Sequence, residues 1–170
     1  MADSNMSEQT LRNRIRALIL FFMAALIISG STAIPLRFEL SILNQFLGKG
    51  SSFGNIWPAM ADWISFINDG LISTHENYPF MFYGTDWLAF AHIVIAIAFF
   101  GPLRDPVKNI WVIEFGLISC ALIIPTVLIF GPIRGIPLFW RVIDCSFGVF
   151  GFLPLWVVRK DILALSQKVE

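Results

Sequence analysis

Three ionisable side chains fall inside long apolar stretches: His92, Glu114 and Asp144. A charge in lipid is costly, so such residues mark candidate proton relays, ion sites or ligand contacts. Depth sorts them. At about 1.5 Å of rise per residue, His92 lies about 9 Å beyond Asp86, and Asp144 about 10 Å beyond Pro137. Glu114 is only about 7 Å from Asn109, close enough for its carboxylate to snorkel towards water. His92 shares a helix face with Ala89 and Ala96, and Asp144 shares one with Gly148 and Gly151. Small residues permit close helix contact in lipid, so both polar groups are expected to face other helices. A His92–Asp144 hydrogen bond would fix the imidazole tautomer or favour its charged form. Arg141, one turn before Asp144, competes as the partner, because i, i+3 neighbours meet on any helix.

Catalysis asks for more than this. Acid–base chemistry needs a positioned pair, an accessible substrate and usually a nucleophile or metal. Cys145 adjoins Asp144, but adjacent helical positions face about 100° apart. The sequence carries no nucleophile elbow, metal-binding helix pair or phosphate loop. Cys120 and Cys145 lie in apolar runs, outside any C-x-x-C or Cys/His spacing, and are expected to be packing thiols. A haem held by two histidines would need both on facing helices, and the second histidine, His75, lies outside the apolar stretches. No catalytic residue, metal ligand or cofactor is assigned.

The elements that position these residues are helices. The chain has 170 residues, of which 56% are hydrophobic and 14% charged. Soluble domains carry about 25% charged residues, so a soluble globular class is excluded, and a disordered chain would need the opposite balance. Twelve basic residues balance twelve acidic ones, which gives no sign of a nucleic-acid partner. A lipid-spanning helix needs about 20 mostly apolar residues, and four segments qualify: 17–34, 87–103, 110–130 and 137–158. Helix is the form that satisfies their backbone in lipid. The chain is therefore expected to be an all-α integral membrane protein, one domain over 1–170, with four transmembrane helices. Residues 1–33 also resemble a signal peptide, with Arg12, Arg14 and Arg16 before an apolar core and Ser31-Thr32-Ala33 after it. Asp3 and Glu8 spoil that basic leader, which favours an uncleaved helix.

Eight basic residues fall on the side of the termini and four on the other: Arg37, Lys49, Arg134 and Arg141. That asymmetry puts both termini inside. Trp87 and Trp140 then mark the outer boundary, and Trp111 and Trp156 the inner one. Phe100-Gly101-Pro102-Leu103-Arg104 and Phe130-Gly131-Pro132-Ile133-Arg134 read as two helix stops rather than a duplication.

Residues 35–85 form a partly helical outer segment between the first two spans. A helix over Arg37 to Leu47 ends at Gly48. After a loop, Ile56, Met60, Trp63, Ile64, Ile67 and Leu71 recur at helical spacing, with Asn55 as the expected cap and Gly70 as the expected end. Asp62, Ser65, Asn68 and Asp69 lie off that stripe, and the helix is expected to lie in the outer interface or cap the bundle. Trp57, Trp63, Tyr78, Tyr83 and Trp87 form a candidate partner or ligand surface there.

The function expected from these features is non-enzymatic: an accessory or lipid- or apolar-ligand-binding subunit of a membrane assembly. Its partners would be membrane lipids and other membrane subunits, or further copies of itself. The alternatives are a small oligomeric transporter using Glu114 or Asp144, and an intramembrane enzyme using His92 and Asp144. Pro125 and Pro154 fit the transporter, because a proline frees a carbonyl one turn earlier in its helix. The sequence carries no organelle-targeting or lipidation motif, which fits a bacterial cytoplasmic (inner) membrane with both termini cytoplasmic.

Overall fold

A computed structural model describes residues 6–169. Every regular element among them is helical: α1 (Glu8–Thr32), α2 (Leu36–Leu47), α3 (Ser52–Ile56), α4 (Pro58–Asn77), a 3-10 turn (Pro79–Phe82), α5 (Tyr83–Ala98), α6 (Phe100–Arg104), α7 (Ile110–Ile133) and α8 (Leu138–Val169). Four stretches are long and apolar enough to cross a membrane: Glu8–Thr32, Pro79–Arg104, Ile110–Ile133 and Leu138–Lys168. The chain divides into two units, one of residues up to Ala25 together with those from Ile95 onward, the other Leu26–Val94.

In the first unit, α7 packs along α8, and the start of α1 joins them. Glycines set the approach. A Cβ on Gly148 would lie 2.7 Å from the Cys120 carbonyl oxygen, and one on Gly151 would lie 2.9 Å from the Cys120 sulfur. The expected small-residue face of the last helix is thus pressed against α7 at Cys120. Deeper in, Gly116 makes room for Leu155 and Phe99, and the Phe99 ring meets Phe22 at 4.9 Å between centroids.

Both α1 and α8 run past the spans read from the sequence. α1 starts at Glu8 rather than near residue 17, and α8 continues to Val169 rather than stopping near 158. The cause is an amphipathic stripe. Leu11, Ile15 and Ile19 on α1, with Leu155, Val158, Ile162 and Leu165 on α8, recur at three- and four-residue spacing, and all are buried. These ends bury apolar faces as soluble helices do, and Asp161 is buried with them.

The two Gly-Pro pairs do not stop their helices at the glycine. Helix continues through both, to Arg104 in α6 and to Ile133 in α7. Each glycine instead admits a neighbour: Asn109 Nδ2 donates to the Gly101 carbonyl at 3.2 Å, and the Arg141 side chain lies over Gly131.

In the second unit, α2 and α4 form an antiparallel hairpin closed by α3. α2 ends at Gly48, as its sequence indicates. The remainder differs from expectation. Ser51, not Asn55, supplies a cap, its Oγ accepting from the Gly54 amide at 2.9 Å, and Asn55 lies inside the short α3. Pro58 then opens α4, where its missing amide costs nothing. α4 passes through Gly70 and ends at Asn77, because the hairpin partner supplies more stability than one exposed glycine removes.

Two of the polar residues expected off the stripe of α4 are buried, while Asp62 and Asp69 are exposed and Ile64 of the stripe is buried. Ser65 and Asn68 are buried against α2. Ser65 Oγ donates to Asn44 Oδ1 at 2.7 Å and accepts from the Lys49 amide at 3.0 Å, and Ser41 Oγ donates to Asn68 Oδ1 at 3.2 Å. A polar seam therefore fixes the register of the hairpin, and Phe66 and Ile56 are exposed instead.

Candidate functional site

Two ion pairs of the first unit lie at one end of α7 and α8. Arg14 donates from Nε and Nη2 to the two carboxylate oxygens of Asp161. Asp161 has no exposed side-chain surface, whereas Arg14 retains about a third of its own. Arg159, on the preceding half-turn, reaches Glu114 Oε1 with both Nε and Nη2 at 2.9 Å. Two arginine–carboxylate pairs thus tie α1 to α8 and α8 to α7. Glu114 is held by a cation from the facing helix rather than only snorkelling to water. On the same end, Lys160 Nζ stands 5.6 Å from the Trp156 ring centre, a distance suited to a cation–π contact.

Arg14, Arg159 and Asp161 were not singled out from sequence as a site. A span that ends at 158 leaves Asp161 outside it, and Arg14 reads as a basic residue before an apolar core. The overlooked signal was the continued apolar spacing on both sides of each residue.

Asp144 is half-buried on α8. No ion pair joins it to Arg141 among the described residues, which corrects the local pair expected from their spacing. The reason is the close fit at Gly131, which draws the Arg141 stem across the end of α7 and leaves its Nε buried without a hydrogen-bond partner. Cys120 and Cys145 are free thiols, the first buried.

His92 belongs to the second unit and Asp144 to the first. The described hydrogen bond of His92 is local, Nδ1 to the Leu88 carbonyl oxygen at 2.8 Å. Its backbone position is tightly packed: a Cβ on Gly30 of α1 would lie 2.6 Å from His92 Cβ. A small-residue contact therefore brings α1 onto α5 at His92 and Ala89.

The aromatic surface lies in the second unit. Tyr83, Trp87 and Phe90 make successive edge-to-face contacts at 5.9 and 5.4 Å, and with Asp86 they line a shallow cleft. Tyr78, Tyr83 and Trp87 are exposed. Trp63 is instead partly covered and stacks on Phe66 at 5.6 Å, while Trp57 is exposed where α3 meets α4. The hairpin also brings Arg37 and His75 to one cavity, a pairing that sequence separation conceals.

These features define an all-helical protein with four helices suited to membrane crossing. No family model, curated protein or solved structure matches the chain.

Proposed function

We propose that the chain is a non-enzymatic polytopic membrane protein that serves as an accessory or lipid-binding subunit of a membrane assembly. The observation that carries this reading is how little of each candidate span the chain itself covers. Between 17% and 28% of the most apolar window of each is buried. The rest is apolar surface, including Phe21, Ile28, Phe147 and Phe150, and lipid or neighbouring helices are what such surface meets. The exposed aromatics from Tyr78 to Trp87 suit the lipid–water boundary or a partner's flank. The proposed orientation keeps both termini in the cytoplasm of a bacterial inner membrane, with α2 to α4 on the opposite face.

Two observations favour a second reading, a small oligomeric transporter. Asp144 has no hydrogen bond or ion pair among the described residues, and α7 and α8 carry Pro125 and Pro154 within their helices. Glu114 suits that role less, because Arg159 holds it.

Native mass spectrometry after gentle extraction separates the two. Additional polypeptides in fixed stoichiometry are expected for the accessory subunit. A homo-oligomer whose ion-dependent flux is lost in Asp144→Asn would replace that reading with the transporter.

A further inference from the structure

The cavity bordered by Arg37 and His75 lies wholly within the second unit and measures about 400 Å³. It lies beside the end of α1 and the start of α5, the two elements of this unit that belong to candidate spans. Its lining is of mixed chemistry. Ile34, Phe38 and Phe82 are apolar lining residues, and Arg37, Ser41 and His75 are polar ones. No carboxylate lines it, so Arg37 is its single formal charge. Arg37 has no ion-pair partner among the described residues.

Two further features bear on the polar residues. α2 begins at this cavity, and no side chain caps its first-turn amides. Uncapped amides at a helix start attract an anion. The His75 ring is braced edge-on against Phe82 at 5.4 Å. Ser41 ties the wall together instead of donating into the cavity, because its hydroxyl faces the Arg37 carbonyl oxygen at 2.9 Å and Asn68.

We infer that this cavity binds the phosphate headgroup of an anionic phospholipid, with Arg37 as the principal contact. The guanidinium pairs with phosphate oxygens in its fork geometry. The α2 amides and a His75 ring N–H add donors, and an acyl chain follows Ile34, Phe38 and Phe82 towards the bilayer. This inference rests on the membrane reading above and names the lipid class that the reading leaves open.

The test uses the full chain purified in mild detergent and exchanged with phosphatidylglycerol or phosphatidylcholine, with bound lipid counted by native mass spectrometry. Wild type is expected to retain phosphatidylglycerol over phosphatidylcholine, and Arg37→Gln to lose about tenfold of that preference, the scale of one charge-assisted contact. Arg37→Lys should recover part of it, and His75→Gln should show a smaller loss. Circular dichroism melts should coincide with wild type, since Arg37 and His75 are exposed. Equal phosphatidylglycerol retention in wild type and Arg37→Gln overturns the site, as does displacement of the lipid by millimolar inorganic phosphate, which would mark a free-phosphate site. Wild-type protein soluble without detergent would overturn the membrane reading itself, and this inference with it.

Discussion

Arg14 and Asp161 are 147 residues apart in sequence and joined by two hydrogen bonds, with the carboxylate fully buried. This pair fastens the N-terminal end of α1 to the C-terminal half of α8. The partners differ in exposure, so their removal should differ in cost. Arg14→Met strands a buried charge and is expected to cost about 3–5 kcal/mol. That corresponds to a Tm loss on the order of 10 °C in a detergent melt. Asp161→Asn leaves a guanidinium that still reaches water and should cost clearly less. The double variant Arg14→Met with Asp161→Leu should return close to wild type, because an apolar pair of similar volume replaces a desolvated ion pair. Equal melting of wild type and Arg14→Met would show that the pair carries no stability.

The Glu114–Arg159 pair is a contrast. Both side chains keep more than a third of their surface or nearly so, at 43% and 34%. Glu114→Gln is therefore expected to cost no more than about 1 kcal/mol. Raising the salt should narrow the difference further, since exposed pairs are screened. Thermal melts at low and high salt check both statements, and a loss as large as that of Arg14→Met would contradict them.

Glycine positions give predictions of opposite sign. Gly148→Ala forces a methyl group to 2.7 Å from the Cys120 carbonyl oxygen, a backbone atom that cannot swing away. A destabilisation of about 1–3 kcal/mol is expected from such overpacking. Gly70→Ala meets nothing within 4 Å and sits inside α4. It should stabilise the hairpin by about 0.5–1 kcal/mol through helix propensity. Parallel melts of the two variants would show the split directly.

How much was legible follows from these residues. The Gly48 end of α2, the four apolar helices and the small-residue face at Gly148 and Gly151 all arise from local spacing, which a single strand of sequence displays. The Arg14–Asp161 pair does not. It requires knowing that α1 and α8 continue together beyond their apolar runs, although Leu11, Ile15, Ile162 and Leu165 carried the spacing that implies it. Ser65 and Asn68 read as a solvated face because polarity alone cannot reveal a polar partner on another helix. Their burial depends on Asn44 and Ser41 arriving in antiparallel register. The Arg37–His75 cavity was hidden for the same reason.

That register gives a prediction of its own. Ser65 accepts from the Lys49 amide and donates to Asn44, so Ser65→Ala leaves two part-buried groups with fewer partners. A cost of about 1 kcal/mol is expected. Hydrogen exchange should report it locally, with faster exchange at the Lys49 amide and in α2 and α4 than in α7. Unchanged protection in the hairpin would contradict the role given to the seam.

Whether the four apolar helices are integrated in a bilayer is measured most directly by alkaline carbonate washing of membranes from cells that express the chain. Four inserted spans predict that the chain stays with the sedimented membranes and is released only by detergent. Release into the alkaline supernatant would contradict the membrane assignment and the lipid and partner roles built on it.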